Sequence, residues 1–459
     1  MESVSEEWLV RQTPEVQAVL RILLNRIAEL EAKLGKDSSN SSKPPSTQHP
    51  HAKLSKQAQK KAKRKSGGQP GHPKHERSLI SAHECDAVIY CLPAECRRCG
   101  EALNGKDPEP LRHQVWEIPE IKPSITEYQL HRLRCSCGKT TCGELPPGVP
   151  VGMAGPRLVA LSALLMVCFR LSKRRCALFL EQILGQEASA SWMIKLQNRA
   201  AEALQAPYQE LVSALPKQAV LNGDESPTKE GLAKAWTWTF VATTFSVFAL
   251  RTSRKAQVVL EFLGDSFTGV LGCDRAKMYW AFGRLQWCWA HLLRDFQSLI
   301  DRPCPVARRL GHDLQRQTRA MFELWNRVRD GTLSHKAFGE QMIPIRSEVE
   351  ALLLRGKFDP KLRGFCSELW KYRARLWTFV DVEGVEPTNN AAERALRPAV
   401  IWRKLCFGTQ SAQGSRFVER MLTVIETCRQ QKRNSFAWMT QAVQAHFAQE
   451  KAPSLLARA

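Results

Sequence analysis

Hydrophobic positions change their period along this chain, and the changes divide it into segments. Val16, Leu20, Leu23, Ile27, Leu30 and Leu34 recur at alternating steps of four and three. That is the a/d seam of a short coiled coil over residues 14–35, or the apolar stripe of an amphipathic helix lying on its own domain. The periodicity then stops: residues 36–50, KDSSNSSKPPSTQHP, are polar with adjacent prolines and read as a linker. Helical spacing returns at Arg157–Arg170, Lys173–Leu184 and Trp192–Leu204, with Gly185 as a turn and Ser189 or Ser191 as a cap. Short apolar runs rich in Trp, Thr, Phe and Val follow at 217–222, 235–240, 245–251, 268–273 and 284–290, with a helix at 256–263. Helical periods resume over 306–329, 334–354 and 361–379. A further short helix begins at the candidate caps Thr388, Asn389 and Asn390, and Pro398 is expected to end or kink it. A loop at 411–414, a helix over 416–429 and a frayed tail from Ala452 complete the pattern.

Charge narrows the partners. The 459 residues carry a formal net charge of +22, which points to a polyanion, nucleic acid first. Lys53, Lys56, Lys60, Lys61, Lys63, Arg64 and Lys65 form an acid-free run suited to a phosphate backbone. The helices of 156–206 have a helix-turn-helix outline with Arg170, Lys173, Arg174, Arg175, Lys195 and Arg199 on it, and Lys195 and Arg199 are candidate DNA contacts. No apolar run reaches the roughly 18 residues of a bilayer span. The acidic start without an apolar core predicts no export and a cytoplasmic, nucleoid-associated protein.

Fifteen cysteines in a chain expected to stay reduced suggest thiols and a metal site, not a disulfide framework. Cys96-Arg97-Arg98-Cys99-Gly100 is one knuckle, and Cys135-Ser136-Cys137-Gly138 is a second with unusually close spacing. Cys96, Cys99, Cys135 and Cys137 would hold a structural zinc ion with no open position. Cys142 is the substitute for either member of the second pair; Cys85, Cys91 and His131 are further alternatives. Gln114–Arg134, between the knuckles, has strand character.

Three acids stand out. The first strand delivers Asp224 at its end, and the fourth delivers Asp274. Three hairpin-like strands, a helix and further strands is the order of an RNase H-like sheet, whose first and fourth strands are neighbours, so the two aspartates would face each other. Glu393 lies in the first turns of the later helix. Together they form an oxygen-only set suited to two magnesium ions (or manganese), for in-line displacement at phosphorus. Three anions offset the repulsion of two close divalent ions. Glu225 and Asp295 are the substitutes. Arg394, Arg397, Arg403 and Lys404 form a basic edge for scissile or target phosphates.

With these residues in view, the chain resembles the DDE transposases of insertion sequence family sixty-six. The resemblance rests on NSSKPPS (Asn40–Ser46), GGQPGH (Gly67–His72), the paired cysteines, Asp224-Glu225-Ser226 and Cys273-Asp274-Arg275. It continues in CWAHLLRDF (Cys288–Phe296), PTNNAAERALRP (Pro387–Pro398) and FGTQSAQGSRFVERMLT (Phe407–Thr423). Asp224, Asp274 and Glu393 take the places of the family's catalytic acids. Cys288-Trp289-Ala290-His291 matches its CxxH motif, so Cys288 and His291 are expected to support the site. Ser226 stands where threonine is commoner. The resemblance implies an enzyme that binds the terminal inverted repeats of its element, cleaves there with water and joins the 3′-hydroxyl ends to target DNA. It also implies small accessory proteins from the same element.

The expected architecture is an α/β RNase H-like catalytic domain split by an all-α insertion. A coiled coil (1–35), which implies a homo-oligomer, leads through a basic linker (36–80) to a zinc-binding module (81–150). A helical, helix-turn-helix-like DNA-binding segment follows (151–212). The catalytic domain occupies 213–296 and 383–440, around an insertion at 297–382, before a tail at 441–459. A zinc-containing DNA-binding regulator, or an inactive remnant, is the non-catalytic alternative. The HxxR spacing of His291 and Arg294 also occurs in tyrosine recombinases, but no motif surrounds Tyr372, the tyrosine beyond it.

Overall fold

The computed structural model describes residues 11–34 and 78–456. The polar linker, the basic run Lys53–Lys65 and the GGQPGH segment lie outside the described residues. The chain divides into two compact units, residues 52–123 and the remainder.

In the smaller unit the Gln114 side chain clasps the Ile80 backbone, accepting its N–H at 3.1 Å and donating to its carbonyl at 2.9 Å. The Cys96 knuckle closes through the Gly100 N–H on the Cys96 carbonyl at 2.9 Å. Gly100 has φ +78°, a conformation that a side chain resists.

The larger unit begins with α1 (Pro14–Leu34). Its seam residues Val16, Leu23, Ile27 and Leu30 are exposed. Strands β1 (Arg132–Arg134) and β2 (Thr140–Cys142) form a hairpin around the second knuckle. The strand expected across Gln114–Arg134 shrinks to these three residues, because residues 114–131 have no ladder partner among the described residues. Helices α2 (Pro156–Val167), α3 (Lys173–Leu184), α4 (Ala190–Ala203) and α5 (Gln205–Ala214) follow. Ser172 and Ser189 cap α3 and α4, and Gly185 ends α3 at φ 64°.

The centre is a mixed five-stranded sheet in the order β5-β4-β3-β6-β7. Its strands are β3 (Val220–Glu230), β4 (Ala233–Val241), β5 (Ser246–Arg251), β6 (Val270–Cys273) and β7 (Leu285–Trp287), with α6 (Ala256–Leu263) as the crossover. β3, β4 and β5 are antiparallel; β6 runs parallel to β3, and β7 to β6. β3 does not stop at Asp224, as the sequence suggested. It continues to Glu230 against β4, while β6 accompanies it only over Val220–Asn222. Pro227 is tolerated in that extension, where the β6 side has no ladder. The fifth strand ends at Trp287, short of Ala290, and α7 (Trp289–Ile300) begins there.

Both sheet edges are covered, which satisfies backbone groups that would otherwise template aggregation. Helix α13 (Ala412–Gln430) presents Glu419, Thr423 and Thr427 at helical spacing to β5. They accept the N–H groups of Leu250, Phe248 and Ser246 at 2.9, 2.9 and 3.2 Å. At the other edge α11 (Ala374–Asp381) docks on β7. The Thr378 hydroxyl donates to the Leu285 carbonyl at 2.7 Å, and the Gln286 side chain accepts the Phe379 N–H at 2.9 Å. α11 completes a helical segment made with α8 (Pro305–Arg329), α9 (His335–Phe358) and α10 (Arg363–Lys371).

Two expectations about the C-terminal part change. Of the two outcomes expected at Pro398, an end is excluded: helix α12 (Asn390–Cys406) runs through it; proline removes one internal hydrogen bond, and Ala395, Leu396, Ala399 and Trp402 are buried on either side of it. The tail does not fray over its described residues, 452–456. After α14 (Ser435–Phe447), Leu455 is fully buried, its carbonyl accepts from Gln431 at 2.7 Å and its N–H reaches Glu210. α14 packs against α2, and α13 against α4.

Candidate active site

Asp224 and Asp274 lie where β3 and β6 part. Asn222 pairs with Gly272, so Asp224, two residues on in β3, and Asp274, two residues on from Gly272, emerge side by side. Each carboxylate is steadied by a nearby amide: Asp224 Oδ1 accepts the Glu225 N–H at 2.9 Å and Asp274 Oδ1 that of Ala276 at 2.8 Å.

Glu393 arrives from the first turn of α12, and Asn389 brings it there. Asn389 occupies the N-cap position, yet its side chain does not cap the helix. Its Nδ2 donates instead to the Gly223 carbonyl at 2.9 Å, beside Asp224, while its N–H donates to Cys288 Sγ at 3.1 Å. Trp289 N–H reaches the Pro387 carbonyl at 3.0 Å. The start of α12 is thereby stitched to β3 and to the start of α7.

The electrostatics record the convergence. The Asp224 carboxyl is held well above the usual carboxylate range, chiefly by burial, then by the negative charges of Glu225, Asp274 and Glu393. Acids gathered against their own repulsion fit a cation site. The donors are oxygens, the choice of hard divalent ions such as magnesium or manganese.

Comparison with known proteins decides the family. The model described as "Transposase IS66 family" matches residues 151–416, more than half of the chain. The chain belongs to the IS66 transposase family. A second model, a family of unknown function (DUF6444), matches residues 4–78. An uncharacterized protein, y4qI, of Sinorhizobium fredii is 23% identical over 430 residues, spanning 84% of this chain and 77% of that protein.

In this IS66-family chain the two substitute acids are engaged elsewhere. Glu225 is nearly buried; Tyr279 donates its hydroxyl to one oxygen at 2.6 Å and Arg254 pairs with the other at 2.7 Å. Burial, then the charge of Asp274, pushes its carboxyl up to about 7 against the pull of those two partners. Asp295 pairs with Arg275 at 3.0 Å, and Arg275 also holds Glu368 at 3.1 Å. Neither Tyr279 nor Arg254 was singled out in the sequence: each lies in a connection with no motif around it.

Cys288 and His291 do reach Glu393. His291 Nδ1 stands 3.6 Å from Glu393 Oε1, and Arg294 Nη2 is 4.0 Å from the same oxygen. Among the described residues, donor atoms of Cys288, His291 and Glu393 lie within 4.8 Å of one another.

The basic residues separate into two groups. Arg394, Arg397 and Lys404 are exposed and make no hydrogen bond or ion pair among the described residues; so is Lys195 on α4. Arg403 is partly buried and tied to β3, donating to Ser226 Oγ at 3.3 Å and to the Pro227 carbonyl. Arg199 packs over the backbone of Gly152, where an added Cβ would lie 2.5 Å from its guanidinium. The two cysteine knuckles fall in different compact units. In each, the first thiol is held below its usual range: Cys96 by the Arg98 and Cys99 amides and the Cys99 thiol, Cys135 by the Cys137 amide and thiol and the Ser136 hydroxyl.

Proposed function

We propose that this IS66-family transposase cleaves DNA at the ends of its element by divalent-metal-dependent hydrolysis and joins the resulting 3′-hydroxyl ends to target DNA. The observation that supports the reading is the emergence of Asp224 and Asp274 side by side from the parallel strands, with the helix of Glu393 bonded to β3 through Asn389 and the Glu393 charge felt at Asp224. The strand order, with its antiparallel triplet and parallel pair, supports an RNase H-like catalytic domain. Asp224, Asp274 and Glu393 would hold two magnesium or manganese ions. When bound, these supply Lewis acidity to the attacking oxygen and the leaving oxygen.

The protein's own part is positional. Adjacent strand ends fix the aspartates on a rigid scaffold, and the Asn389 bridge fixes the helix that carries Glu393. Arg254 and Tyr279 keep Glu225 turned into its own hydrogen bonds, so its charge shapes the field without competing as a ligand. Arg294 pairs with one side of the Glu393 carboxylate at 4.0 Å. Arg394, Arg397 and Lys404 project from the same helix and offer free cations to phosphates. Arg170 and Lys173, at the start of α3, act electrostatically on Cys406 at the end of α12. Two cations of the helical segment thus lie near the C-terminal end of the catalytic helix, and DNA bound there would run toward the acids at its start. Lys195 would contact DNA farther along α4; Arg199, over Gly152, would serve packing. We further infer self-association through α1 and structural zinc at the knuckles.

The test is strand cleavage and joining on DNA carrying the element's terminal repeats, with magnesium, for wild type beside Asp224→Asn. Magnesium-dependent products from wild type alone support the reading. DNA binding with no cleavage under any divalent ion would favour a regulator.

A further inference from the structure

Cys288, His291 and Glu393 form a donor set of a different chemical character from the aspartates. Their ligand atoms lie within 4.8 Å of one another. The sulfur accepts the Asn389 N–H at 3.1 Å. The thiolate is the form that binds metal, and burial pushes this thiol up to about 11, so the ion itself must displace the proton. His291 Nδ1 is buried with no hydrogen-bond partner, 3.6 Å from Glu393 Oε1. A buried nitrogen without a partner is costly unless something else uses its lone pair. Sulfur, imidazole and carboxylate together suit zinc with a fourth position open, and suit magnesium poorly.

We propose that Cys288, His291 and Glu393 bind a soft divalent ion such as zinc, and that this ion competes with the catalytic metals for Glu393. On binding, the Cys288 thiol releases its proton to water and the sulfur takes the metal. Glu393, drawn toward Cys288 and His291, then leaves the set it shares with Asp224 and Asp274. Micromolar zinc is thus an inhibitor that works by removing a catalytic ligand. The inhibitory half rests on the catalytic reading above; the binding half does not.

The probe is Co2+ added to the full-length protein, followed by its visible ligand-field bands and its thiolate charge-transfer band. The cysteine knuckles would take up cobalt as well, so the comparison is between wild type and His291→Ala, with Cys288→Ser as a second variant and circular dichroism to check folding. Wild type should hold one more Co2+ per chain than either variant, and the difference spectrum should carry the thiolate band. Glu393→Gln should weaken that ion by roughly tenfold or more. Equal stoichiometry and identical spectra in wild type and His291→Ala would overturn the site. An unchanged affinity in Glu393→Gln would overturn the shared ligand. In the cleavage assay, one equivalent of zinc beyond knuckle saturation should abolish magnesium-dependent products, and a chelator should restore them. A protein that binds the extra cobalt yet never cleaves supports the site and removes the catalytic reading instead.

Discussion

Asn389 donates its side-chain amide to the backbone carbonyl of Gly223 at 2.9 Å, across 166 residues of sequence. This bond, near the start of the helix that carries Glu393, registers it against the strand that carries Asp224, and Arg403 ties the same helix to that strand farther along. Replacing Asn389 with Ala leaves a buried carbonyl unpaired, at a cost of about 1–3 kcal/mol. It also loosens the acids, and a displacement near 1 Å is worth about 100-fold in rate. Cleavage by Asn389→Ala should therefore fall about 100-fold while DNA affinity stays unchanged. Gel-based cleavage and binding isotherms measure the two separately.

The gathered acids make the metal-free protein sensitive to pH. Glu225 is raised from 4.5 to about 7, so its folded state binds a proton more tightly than the unfolded chain. Its contribution is fully present below pH 4.5 and is lost as pH rises through 7. Each tenfold difference in proton affinity between the folded and unfolded chain is worth about 1.4 kcal/mol, so the loss totals about 3 kcal/mol. Thermal unfolding without metal should show Tm falling across this window, with a shallower fall in Glu225→Gln.

Magnesium or manganese should reverse that trend. The ions bind ionised carboxylates, so the rise in Tm on adding them grows with pH. It should be larger at pH 8 than at pH 6, and absent in Asp224→Asn. An equal shift in that variant would place the ions elsewhere.

Thr423 accepts the N–H of Phe248 on the edge strand β5 at 2.9 Å and is fully buried. Thr423→Val keeps the shape and orphans that N–H, so stability should fall by about 1–3 kcal/mol by urea denaturation. Thr423→Ser should recover part of the loss.

Arg394 and Arg397 have no ion-pair partner among the described residues, whereas Arg403 is bound to β3. Arg394→Ala and Arg397→Ala should weaken binding to all DNA sequences and reduce its salt dependence by about one phosphate contact each. Arg403→Ala should instead lower Tm. Fluorescence anisotropy across a salt series distinguishes the cases.

The sequence by itself determined the local elements. Helix periods at 173–184, 306–329 and 416–429, and apolar runs at 235–240 and 245–251, needed only neighbours within a few residues, because backbone sterics and side-chain burial repeat at that range. The motif PTNNAAERALRP also announced itself, although it did not reveal which asparagine did what. Four things were decided only by tertiary structure. β3 continues past Asp224 because β4 offers it a ladder. Pro398 is absorbed within α12, whose flanking residues are buried around it. Asn389 abandons its own helix end for Gly223, and Glu225 turns to Tyr279 and Arg254. Each of these depends on partners remote along the chain, and no local propensity encodes a hydrogen bond to a residue that only folding brings near.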